Sequence, residues 1–445
     1  MKLNYIFPAI LIFIAATSSR AGDTNWLARP LSLADALNTA LVQNTLILKA
    51  KNDLEISHGL VIQTRAVALP HVVASGQYKA NQSSLVENFG AFGQPVRNWN
   101  AGIQIVQNIY DGGRNIAAIR SAGVTKKQAV AIYQTAVADA LLAVRVAYYD
   151  VLLAAQQVVV REASVKLLEK ELEDQKHRLD AGTVPRFNVL RAEVAVANER
   201  PSLIQARNAN RLAKNNLANL LGYNLPREIW EDIPLNLTDG FNLAPLEVNL
   251  PDAIQSALQK RTELEAQRRT VDLQKLSVVD AKAGYQPTIS LFAGYDWFNA
   301  RFTPPVEIDH DIHGWNAGAQ LSWNIFDGAA TYGKVKQAKA ELEKSRTELT
   351  DRQRQIEISV RTAYSDFLQA RETLDSQAKV QESADEALRE ARARAEAGTS
   401  TQLDVLNAET ALTQSRTTQV QAQHDYATAR AKFERAVGND LAPMK

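Results

Sequence analysis

The sequence predicts a mainly α protein with a membrane β part, built from two copies of one unit: a helix, two strands and a very long helical hairpin. Three observations carry that expectation. The chain repeats itself at half its length. Each half holds two runs in which apolar and polar residues alternate. Each half then continues through a stretch longer than sixty residues with no proline and a single glycine.

The two halves match residue by residue, the signature of a duplicated unit. Leu31-Ser-Leu-Ala-Asp-Ala-Leu matches Val248-Asn-Leu-Pro-Asp-Ala-Ile at an offset of 217, as do Pro70 with Pro287 and Tyr78 with Tyr295. The run from Trp99 to Gly112 matches Trp315 to Gly328 at an offset of 216. Ala181-Gly-Thr, Val189-Leu-Arg-Ala-Glu and Gly222 recur at the same offset as Ala397-Gly-Thr, Val405-Leu-Asn-Ala-Glu and Gly438. The expected domains are therefore a first copy over 22–222 and a second over 248–438. Residues 223–247, with Pro226, Pro234 and Pro245, form an irregular linker, and 439–445 a tail.

Composition narrows the class. Of 445 residues, 46% are hydrophobic and 22% charged, which excludes a disordered chain. The 50 Lys+Arg balance 49 Asp+Glu, so no nucleic-acid partner is expected. Cysteine is absent, which excludes thiol catalysis, Cys-ligated zinc, iron–sulfur clusters, disulfides and lipid attachment at a lipobox cysteine.

Met1–Ala21 reads as a secretory signal peptide. Lys2 gives the positive start, Ile6–Ala16 an apolar run of 11 residues, and Ser19-Arg20-Ala21 small residues at the −3 and −1 positions. A short membrane anchor is the competing reading. No later stretch approaches the ~18 apolar residues of a membrane helix.

The first helix of each copy is expected over 32–69 and 250–285, each ending before a proline, Pro70 and Pro287. Strands follow within about 70–110 and 287–326. Trp99, Ala101, Ile103, Ile105 and Ile109 share one face against Asn100, Gly102, Gln104, Val106 and Asn108. Trp315, Ala317, Ala319, Leu321, Trp323 and Ile325 oppose Asn316, Gly318, Gln320, Ser322, Asn324 and Phe326. Ten to twelve residues suit a transmembrane strand, which needs ~9–11. A soluble sheet packed on helices fits the same alternation.

The long hairpins are expected over 114–222 and 329–437. Their apolar spacing alternates between three and four, as in Val130, Tyr133, Val137, Ala140, Val144, Ala147 and Val151, or Ile356, Val360, Ala363, Phe367, Ala370 and Leu374. Each rod stops at a glycine, Gly182 or Gly398, and the chain reverses into a second helix.

Four lipid-facing strands cannot close on themselves, because small barrels need about eight. In a bilayer no edge remains unpaired, so several chains must complete one barrel. Asn100, Gln104, Asn108, Asn316, Gln320 and Asn324 would then line water.

This ordered set of repeats resembles the TolC-like family of outer membrane efflux proteins. The resemblance covers nearly all of the chain and includes the turns at Ala181–Glu193 and Ala397–Glu409. It implies a homotrimer whose four strands per chain make a 12-stranded β-barrel, continued by an α-helical barrel in the periplasm. It implies an outer-membrane location, and passive export of substrate from an inner-membrane pump (RND or ABC type) through a periplasmic adaptor, or membrane fusion protein. It places adaptor contact at Gly182, Thr183, Val184, Gly398, Thr399 and Ser400; plain helix reversal accounts for the same residues. Asp404 matches an acidic residue at the family's pore entrance, where three carboxylates would favour cations, while a carboxylate stabilising a helix N-terminus is the competing reading. The chain departs from TolC at Asn407, Ser400, Ala395 and Asn188, which stand for Asp, Arg, Tyr and Asp, so that relative's ionic lock is not carried over.

No enzyme is expected, since the chain lacks GxxxxGK[ST], HExxH and a strand-linked GxGxxG. No cofactor is expected either. Glu307 to His313, with His310 and His313, reads as an inter-strand loop that is solvated or, as a weaker candidate, binds a divalent metal outside the cell. Apart from the channel, the pattern admits a soluble periplasmic coiled-coil protein of structural or adaptor type.

Overall fold

The computed structural model describes residues 30–82, 97–223, 233–301 and 309–439. The expected signal peptide, most of the tail and residues 224–232 of the linker lie outside them. The described helices and strands run α1 (Leu33–Gln43), α2 (Thr45–Ala66), β1 (His71–Ala80), β2 (Arg97–Tyr110), α3 (Arg114–Asp180) and α4 (Arg186–Leu220), then α5 (Leu250–Lys260), α6 (Thr262–Ala283), β3 (Thr288–Arg301), β4 (Asp309–Ser322), α7 (Ala330–Glu396) and α8 (Gln402–Val437). The second six repeat the first six in kind and order. At 1.5 Å per residue, the 67 residues of α3 or α7 make about 100 Å of helix.

The first helix of each copy is two helices, which corrects the expectation of one. Asn44 and Arg261, at equivalent positions, are both extended (ψ 126° and 123°). Asn44 accepts from the backbone N–H groups of Leu46 and Ile47 and starts α2. Arg261 instead binds Glu263 and the hydroxyl of Ser359.

Two compact units divide the chain, and each takes part of both copies. One comprises residues up to Gln43, Val144–Asn242 and Lys379–His424. Its core includes Tyr148, Tyr149, Leu217 and Leu221, all essentially inaccessible. Tyr148 donates to the carbonyl of Leu31 and accepts from the backbone N–H of Asp239, and burial raises its pKa to about 12. The described part of the linker is irregular and bonds to Leu31 through Asn236 and Thr238. The other unit comprises Asn44–Ala143, Leu243–Ala378 and the chain from Asp425. Ile356, Val360, Phe367 and Ala370 of α7 fill its core against Tyr426 and Phe433 of α8. Ile356, Val360, Phe367 and Ala370 belong to the heptad stripe, and packing of that apolar face, more than propensity, stabilises the helix here.

That second unit also holds one antiparallel sheet in the order β1-β2-β3-β4. The two copies meet in it: β2 pairs with β3 from Arg97↔Arg301 through Asn108↔Ser290, with a register shift before Tyr110. β1 and β4 are its edges.

Candidate functional site

The sheet has two chemically distinct faces. Register places Asn100 opposite Gln77 and Phe298, Gln104 opposite Val73 and Gly294, Asn316 opposite Gly294, and Gln320 opposite Ser290. Because side chains alternate and opposite residues share a face, Asn100, Gln104, Asn108, Asn316 and Gln320 lie on one face, together with Val73, Phe298 and Ile312. The other carries Val72, Tyr78, Ile103, Leu291, Trp297, Trp315 and Leu321, all exposed, with Trp315 at 80%. Burying one such side chain is worth about 1.5–3 kcal/mol, so an uncovered row of them needs an apolar medium or a partner.

Two expectations fail in the sheet. Asn324 lies beyond the end of β4, together with Trp323, Ile325 and Phe326, because the ladder stops at Ser322↔Thr288. Residues 309–313 lie inside β4 rather than in a loop. Positions 310 and 313 then have opposite parity along the strand, which sets them on opposite faces. The side chain of His310 and all of Glu307 lie outside the described residues. His313 shares a hydrogen bond of 2.7 Å with the Tyr295 hydroxyl. Among the described residues no three metal-ligating side chains gather.

In the first unit the two hairpin ends are built alike. Gly182 and Gly398 take left-handed conformations (φ 72° and 71°). The N–H of Gly182 reaches Leu179 and that of Thr183 reaches Arg178; Gly398 and Thr399 do the same to Ala395 and Arg394. This double closure satisfies the last carbonyls of α3 and α7. Thr183 and Thr399 also donate their hydroxyls to those Arg carbonyls. Gly182, Thr183, Gly398 and Thr399 are exposed, and Val184 and Ser400 half-buried. A cavity of about 650 Å³ between the hairpins is lined by Thr183, Val184 and Asn188 from the first tip, and Gly398, Ser400 and Thr401 from the second.

The restarts differ. Asp404 accepts from the backbone N–H of Thr401 (2.9 Å), its hydroxyl (2.8 Å) and the hydroxyl of Ser400 (3.1 Å). The Asp404 N–H in turn points at the Thr401 hydroxyl, closing a capping box. Those hydrogen bonds, from Thr401 first, hold its carboxyl below the usual range, so it is ionised at neutral pH. Asn188, its equivalent, starts a helix capped by Pro185 with no side-chain bond. Asn407 is exposed one turn beyond Asp404.

The sequence reading passed over Glu409. Its side chain is 2% exposed and accepts from Arg392 at 2.8 Å. Burial pushes its carboxyl up, against Arg392. The signal was present in the repeat: Lys176 and Glu193 make the equivalent cross-hairpin pair at 3.9 Å.

The model of the outer membrane efflux protein family matches residues 36–223 and 253–439. The alkaline protease secretion protein AprF of Pseudomonas aeruginosa is 27% identical over 66% of this chain and 60% of its own length. The outer membrane protein TolC of Vibrio cholerae is 22% identical over 96% of this chain and 94% of its own. Among solved structures, the CmeC outer membrane channel of Campylobacter jejuni superposes with a TM-score of 0.79 at 15% identity, covering 93% of this chain and 87% of that one. The outer-membrane channel OprN does so with a TM-score of 0.76 at 20% identity, covering 91% and 89%. Two matching segments that coincide with the two copies, and channel folds spanning nearly the whole length, leave one assignment: the chain belongs to the outer membrane efflux protein family.

Proposed function

We propose that the chain is the outer-membrane channel of a tripartite efflux or type I secretion system, passively releasing substrates that an inner-membrane pump delivers. The sheet carries this reading. It has one apolar exposed face, one face that carries the Asn and Gln side chains, and two open edges. Lipid satisfies the first, water the second, and only further copies of the same chain satisfy the third. Three copies give twelve strands, and the long helices continue as a periplasmic barrel. The exposed turns at Gly182–Val184 and Gly398–Ser400 dock a periplasmic adaptor, and their identical backbone geometry suits a partner that repeats the same contact. Asp404, ionised and exposed, places one carboxylate per chain at the entrance, with Asn407 and Asn188 as its neutral neighbours. A soluble coiled-coil protein would leave Trp315, Leu321 and their row in water, at a cost no observed contact offsets.

The test is planar-bilayer recording on the mature protein purified in detergent. Discrete conductance steps are expected, larger in D404A, where the second tip loses its capping contacts. A protein that stays soluble without detergent, or that passes no current in either form, overturns the reading.

A further inference from the structure

We propose that Asp296 is the residue of the barrel wall that selects ions by charge, an assignment that rests on the channel reading above. Asp296 lies on β3, on the face shared by Asn100, Gln104 and Asn316. Its position is built. The side-chain amide of Asn316 donates to one carboxylate oxygen. The other lies over Gly102, across the β2–β3 pair, in space that any Cβ at 102 would occupy. Glycine at 102 thus lets the carboxylate lie against the wall, and Asn316 holds it there. The same face repeats the device at Gly294, whose missing Cβ makes room for the Asn316 side chain.

Among the described residues of this face, the acidic or basic side chains other than histidine are Asp296 and Lys79. Gly102 pairs with Ser75, four residues from Lys79 along β1. Four residues of strand set the two charges about 13 Å apart along the wall. The Debye length is about 10 Å at 0.1 M salt, so each level acts largely by itself. In a trimer, Asp296 becomes a ring of three carboxylates. Three charges roughly 8 Å from an axis, in water and screened at 0.1 M, raise the local cation concentration by about threefold. The surrounding Asn and Gln side chains add dipoles but no charge.

The experiment measures reversal potentials across a KCl gradient in planar bilayers, with Asp404→Asn present throughout so that the entrance adds no carboxylate. D296N is expected to lower the K⁺/Cl⁻ permeability ratio several-fold at 0.1 M, up to about ninefold because the potential that raises K⁺ threefold lowers Cl⁻ threefold, and more at 0.01 M, where the Debye length is about 30 Å. The swap D296N/N316D keeps the hydrogen-bonded pair and the ring charge, and is expected to restore the ratio. Channels that conduct with an unchanged ratio in D296N overturn the assignment and leave the channel reading intact. A lowered ratio that the swap fails to restore also overturns it, because the loss then follows altered packing rather than charge. If neither the wild-type protein nor the Asp404→Asn background passes current, the channel reading falls and takes this assignment with it.

Discussion

Ala329 is the one non-glycine residue with positive φ among the described residues, at 67°. Its equivalent in the first copy, Gly113, takes φ 95° at the same turn from strand into long helix. A side chain in this conformation costs about 1–2 kcal/mol, less the entropy that glycine adds to the unfolded chain. A329G is therefore expected to stabilise the protein by about 0.5–1 kcal/mol, read as a higher denaturation midpoint in detergent. A lower midpoint would show that the Ala329 methyl is packed rather than strained. Glu263 makes the opposite kind of case. Burial pushes its carboxyl up, but hydrogen bonds from Arg261 and the charge of Arg435 prevail and hold it at about 2, against an ordinary 4.5. A carboxylate with a depressed folded pKa contributes stability above its unfolded value and loses it as pH falls. That contribution, about 3 kcal/mol at most, is full above pH 4.5 and disappears toward pH 2. E263Q is expected to be less stable than the parent at pH 7 and to match it near pH 2. An equal deficit at both pH values would assign the effect to packing.

At the scale of elements, the hairpin restarts are unequal: α8 opens with a capping box and α4 with a proline. Replacing Thr401 by Ala removes the cap, typically about 1 kcal/mol of helix stability. Hydrogen exchange should then quicken in the first turn of α8, with the first turn of α4 unchanged. Unchanged exchange at Leu403 and Asp404 would mean that tertiary packing, not the cap, holds that end. These elements also show what a sequence discloses. The strands, rods and tip glycines were legible because each has a period or a breaker of its own. The breaks at Asn44 and Arg261 were not, because a single extended residue leaves the apolar pattern on either side intact. The end of β4 at Ser322 was hidden for a related reason: Trp323 and Ile325 continue the alternation after the ladder has lost its partner strand. Asp404 was legible as a candidate, but its engagement with Thr401 and Ser400 belongs to geometry. Glu409 looked like one more glutamate on a helix, and only packing shows it buried.

For the whole molecule, a closed barrel requires β1 and β4 of one chain to be joined to β4 and β1 of its neighbours. Within one chain these strands are separated by β2 and β3, about 14 Å apart at ~4.8 Å per strand, too far for a disulfide. The chain has no cysteine, so introduced thiols report without background. The most direct measurement places a cysteine at Ser75 in β1 and, in successive variants, a second at Ile312, Gly314, Asn316 or Gly318 in β4. After oxidation in membranes, a barrel shared by three chains gives covalent dimers and trimers in denaturing gels for at least one pairing, and nothing larger. Monomers in every pairing, or a ladder that runs beyond three, would contradict it.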